Sequence, residues 1–169
     1  ARHERNLALQ GRYAGPFSRL AAAGADFGAS IGIFNVVLAA VSFAWRVVTG
    51  HDVSFSHHPA VVDPLLGVWA FLYLAYPWAL SGKSLGMAVL GIRVVTPSGG
   101  PISARQAVVR ALVLPFSVAL APFGLSGVVF QRERRALHDF AAGTVVIYAW
   151  NARAAQLRAF AGTAGAPAA

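Results

Sequence analysis

Three long apolar stretches constrain this chain more than any other feature: residues 20–48, 61–80 and 111–130. A helix crosses about 30 Å of hydrocarbon with about 20 residues while satisfying its own backbone polar groups. The first stretch, 29 residues interrupted by Asp26 and Asn35 and closed by Arg46, spans with length to spare. Its first half, "AAAGADFGASIG", is built of small residues that permit close helix contact. The second ends near Tyr76 and Trp78, whose amphipathic rings favour a membrane interface. With 57% hydrophobic and 12% charged residues, the composition is that of a small integral membrane protein. No apolar core interrupts the basic first 19 residues, and the apolar run that follows is too long for a secretory leader, so the first segment is expected to stay in the bilayer.

Charge placement orients these segments. Of the 14 Lys and Arg residues, four precede the first span, none lies in residues 49–59, four fall between residues 81 and 110, and five follow from Arg132 onward. The positive-inside rule then puts the N-terminus and the second connection in the cytoplasm and the His-rich loop outside. A third full crossing by residues 111–130 carries the last five arginines to the opposite side. Pro115, Pro122, Gly124 and Gly127 offer another course, a re-entrant hairpin of two half-helices. The charge count favours the hairpin over the third span, and both stay open.

The expected fold is an all-α membrane protein with two transmembrane helices, this broken third segment and a small cytoplasmic two-strand element. Residues 1–16 read as a basic tail, 17–150 as the membrane domain and 151–169 as an Ala/Arg-rich disordered end. Residues 85–92 suit a short interfacial helix. "IRVV" and "TVVIY" are β-branched runs, each in need of a partner for its backbone groups. Residues 104–110 begin a helix that is expected to hold Arg105 and Arg110 on its wet side. Pro64 fits a first turn and Pro77 a bend or stop.

Arg19 and Asp26, seven positions apart, return to nearly the same helix face. A carboxylate inside the bilayer needs a cation, a polar neighbour or a proton. Near the other end, "RERRALHDFAAGTVV" sets His138 and Asp139 behind a basic cluster. Together with "GKSLGMAVLGIRVV" and an arginine at 110, these residues resemble the RDD family of small bacterial membrane proteins, over about residues 17–148. The resemblance assigns the arginine and two aspartates of the family name to Arg19, Asp26 and Asp139. It implies no catalytic mechanism, and it leaves two roles: cation/proton exchange, or association with Mce-type lipid importers.

The residues carry a matching set of expectations. Arg19, Asp26 and Asp139 are expected to form a salt-bridge triad, with a proton relay through the two aspartates as the sharper alternative. His138 is expected to pack at a helix end rather than to shuttle protons. Lys83, Arg93, Arg105, Arg110, Arg132, Arg134 and Arg135 are assigned to lipid headgroups or a partner's acidic surface. His51, Asp52, His57 and His58 lack the convergent geometry of a metal site, Ser54 and Ser56 lack a nucleophile elbow, and "GKS" at Gly82 follows Pro77 where a phosphate loop needs glycine. No cofactor, enzyme activity or nucleic-acid partner is therefore expected. The favoured reading is an accessory subunit of a larger inner-membrane transport assembly, for which the resemblance suggests the Mce lipid-import type, with membrane lipid and other membrane subunits as partners. Cation/proton antiport by a homo-oligomer is the alternative.

Overall fold

The structure is a computed structural model that describes residues 12–53, 55, 58–120 and 135–149. Helix α1, Pro16–Thr49, begins with a proline whose missing N–H costs nothing in a first turn. It ends at Gly50, where φ of 73° lets the N–H return to the Arg46 carbonyl at 2.9 Å. Helix α2, Pro59–Ser81, closes the same way at Gly82. At about 1.5 Å per residue the two run roughly 51 and 35 Å, each long enough to cross a bilayer.

Of the bend or stop expected at Pro77, the stop does not occur. The helix passes through both Pro64 and Pro77 to Ser81. A proline removes one N–H, and a helix whose remaining bonds are intact tolerates that loss where neighbouring groups satisfy the freed carbonyl. Helix α4, Ala104–Ala119, likewise continues through Pro115. It starts with a reciprocal cap in which Ser103 Oγ accepts the Gln106 N–H and Gln106 Oε1 accepts the Ser103 N–H. The residues on which a re-entrant turn would hinge, 122–127, lie outside the described residues.

Between α2 and α4 come a short helix α3, Leu85–Val89, and strand β1, Ile92–Val95. After the undescribed connection, helix α5, Leu137–Ala141, leads into strand β2, Val145–Tyr148. The two strands pair antiparallel, from Ile92 with Tyr148 to Val95 with Val145, as the β-branched runs predict. The outer edge of β2 is also occupied: Ala14 donates to Val146 O at 2.8 Å, Tyr148 donates to Arg12 O at 2.9 Å, and Tyr13 bridges Ile147. Residues 12–14, read from sequence as part of the basic tail, instead cover strand β2.

The core gathers around this sheet. Ala22, Ala75, Trp78, Met87, Ile92, Val94, Ile102, Ala107, Ala111 and Val146 pack together where the helices meet. Helices α2 and α4 lie along each other, α1 packs on α3, and α4 packs on α5. Away from that core, large apolar side chains from Phe27 to Val48 on α1 and from Val61 to Leu80 on α2 point outward. Such surfaces suit lipid and not water.

Candidate functional site

Asp139 lies at the centre of the charged site, in the first turn of α5, with none of its surface exposed. Its Oδ2 accepts from Arg19 Nη1 and, at 3.1 Å, from the Ala136 N–H. Its Oδ1 accepts from Arg110 Nη1. Arg110, 2% exposed, also donates to Thr144 Oγ1 at 3.0 Å and sets its guanidinium 4.8 Å from the centre of the Trp78 ring. Thr144 in turn returns its N–H to the Asp139 carbonyl at 2.8 Å, which joins the end of α5 to the start of β2. One carboxylate therefore ties α1, α4 and α5 into a single unit.

Burial alone pushes the Asp139 carboxyl up, but the guanidiniums of Arg110 and Arg19 outweigh it and hold the group well below the usual carboxylate range. His138 follows the opposite course. Buried beside the same arginines, its imidazole is pushed down to about 3, first by desolvation and then by Arg110. Its Nε2 lies 3.7 Å from Asp139 Oδ1, as a neutral ring next to an ion cluster. His138 is thus buried within the short helix α5.

Asp26 belongs elsewhere. Its Oδ1 accepts from the Gly86 N–H at 2.8 Å and from the Tyr73 hydroxyl at 3.2 Å, and its Oδ2 accepts from Ser84 Oγ. The expected triad with Arg19 is thus corrected to two separate stations. Seven residues restore the helix face but displace it by about 10 Å along the axis, so one residue reaches α5 and the other reaches α3. Gly86 makes the second station possible, because a Cβ there meets the Ala22 carbonyl oxygen at 2.2 Å and Asp26 Cγ at 3.0 Å.

The basic residues divide as well. Arg105 is exposed, as its assignment to headgroups or partners requires. Arg110 is corrected from the wet face to the interior, since Asp139 and Trp78 compensate its charge there. Lys83 is half-buried and donates to the Ala149 carbonyl at 3.2 Å, so it closes the sheet end; burial and then Arg93 lower its pKa. Arg93 is half-buried on β1, and Arg135 precedes α5. Arg132 and Arg134 lie outside the described residues, as do Ser54, Ser56 and His57. No cluster of three potential metal ligands occurs among the described residues. Sequence reasoning missed Thr144, Trp78, Ser84, Gly86 and Tyr73, and the signal for Arg110 was present: an arginine set inside "AVVRALVL" has apolar neighbours on both sides.

The fold and its buried ion station define a small helical protein of membrane type, with two apolar helices joined at one end by a packed polar cluster. The chain belongs to the RDD family, whose model matches residues 13–143. Family membership and the apolar helices together point to a membrane protein. Comparison with curated proteins and with solved structures found no match in either.

Proposed function

We propose that this chain is a non-enzymatic accessory subunit that packs against other membrane proteins in an inner-membrane transport assembly, its N-terminus cytoplasmic. The observation that carries the reading is the free face of α1. Its buried residues, Ala22, Asp26, Ser30 and Phe34, recur every four positions. Gly24, Gly28 and Gly32 share that spacing but are offset by two residues, about 200° round the helix. A Cβ at any of the three meets nothing within 4 Å. Small residues spaced four apart on an open face let another helix backbone approach closely.

Asn35 continues the same stripe near mid-helix. Its amide nitrogen bonds back to the Ile31 carbonyl at 2.9 Å, and its exposed Oδ1 has no partner among the described residues. An amide left facing hydrocarbon is costly, and a helix seated on the glycines removes that cost. A lipid importer of the Mce type is the concrete assembly that the family resemblance suggests.

The site lends less support to cation/proton exchange. Asp139 is held ionised between two arginines, and Asp26 is held by three neutral donors at a different station. Purification at native abundance in mild detergent tests the choice. Comigration with a stoichiometric set of other membrane proteins, lost on Gly28→Leu, supports the accessory role. A lone homo-oligomer whose proton flux in reconstituted vesicles disappears on Asp26→Asn, with folding intact, overturns it.

A further inference from the structure

Two guanidiniums share one carboxylate, so Arg19, Arg110 and Asp139 together carry one positive charge that no other acid among the described residues offsets. Buried charge without a partner is among the costliest arrangements in a protein. The donors are also underused. Each arginine reaches Asp139 through Nη1, while Arg19 Nη2, Arg110 Nε and Trp78 Nε1 are buried and have no hydrogen-bond partner among the described residues. Asp139 has little left to offer them, because its two oxygens already accept both arginines and the Ala136 N–H.

No other acid among the described residues serves the cluster. Asp26 is engaged by Ser84, Gly86 and Tyr73, Asp52 lies beside Arg46, and Asp63 is exposed; Glu4 and Glu133 lie outside the described residues. Arg19 keeps 12% of its side chain exposed, in the first turns of α1 where the apolar run begins. Arg19 is thus the most exposed of the three, since Arg110 and Trp78 are each 2% exposed. Guanidinium and indole donors beside an excess positive charge suit an oxyanion that offers several acceptor oxygens.

We propose that Arg19, Arg110 and Trp78 form a binding site for a phosphate group at the membrane surface. A phospholipid headgroup and free inorganic phosphate share this chemistry. The site is independent of whether the protein serves as an accessory subunit.

The test uses the full chain in nanodiscs of phosphatidylcholine, with thermal unfolding followed at constant ionic strength. Inorganic phosphate replaces chloride in one arm, and phosphatidic acid or phosphatidylglycerol is doped into the disc in the others. Stabilisation by inorganic phosphate identifies the free anion, and stabilisation by phosphatidic acid alone identifies a headgroup. In either case Trp78→Phe, which keeps a ring on Arg110 but removes the indole donor, weakens the apparent affinity about tenfold, the effect of one charge-assisted hydrogen bond. Arg19→Gln weakens it at least as much. Equal stabilisation by both anionic lipids that neither variant alters is general surface charge and overturns the site. So does the absence of any response, or phosphate binding that emerges only in Glu133→Gln, which identifies Glu133 as the missing counter-charge.

Discussion

Arg19 donates to Asp139 across 120 positions of sequence, and this one bond fastens the start of the first long helix to the last helical turn before β2. With Arg110 on the other carboxylate oxygen, removal of Asp139 strands two guanidiniums in the interior. Asp139→Ala is expected to destabilise the protein by about 3–5 kcal/mol. Reversible unfolding in detergent measures this. A loss below about 1 kcal/mol contradicts a central role for the cluster.

The acid response follows from His138. Its folded pKa of about 3 lies below the ordinary value of 6.5, so between those values the unfolded chain binds a proton that the folded chain refuses. Stability therefore falls as pH drops through 6.5 towards 4, by at most about 1.4 kcal/mol per pH unit. Asp139, whose pKa is lowered by its arginines, adds to the loss only where carboxylates of the unfolded chain protonate. His138→Gln is expected to flatten the slope between pH 6.5 and 4.5, as read from thermal midpoints at a series of pH values.

Two glycines separate intramolecular packing from partner contact. Gly86→Ala drives a methyl into the Ala22 carbonyl and is expected to cost about 1–3 kcal/mol as α3 is pushed from α1. Gly28→Ala meets open space and leaves the isolated chain as stable as before, or slightly more stable through better helix propensity. The two unfolding curves, compared side by side, check the assignment of faces.

Asp26→Asn replaces one acceptor oxygen by a donor nitrogen, so either Ser84 Oγ or the donors on the other oxygen lose their acceptor. A loss of about 1–3 kcal/mol is expected, together with weaker hydrogen-exchange protection at Gly86. Unchanged stability alongside lost ion flux favours a transport role for Asp26 instead.

Because the chain has no cysteine, single introduced thiols report topology cleanly. Asp52→Cys is expected to label with an impermeant reagent from outside, whereas Ser98→Cys and Gln131→Cys label only after the membrane is opened. External labelling at Gln131 instead supports a third full span for residues 111–130.

The sequence alone determined the features governed by local periodicity and composition. Long apolar runs became α1 and α2, β-branched runs became paired strands, and residues 104–110 opened a helix. These follow from backbone satisfaction and side-chain shape, which neighbouring residues suffice to fix. Partner choice among the charges was settled by tertiary structure. Arg19 and Asp26 share a face yet serve different neighbours, and Arg110 leaves the wet face for Asp139, 29 positions away. A charge is compensated by whatever the folded chain brings within a few ångströms, and that distance has no local signature in the sequence.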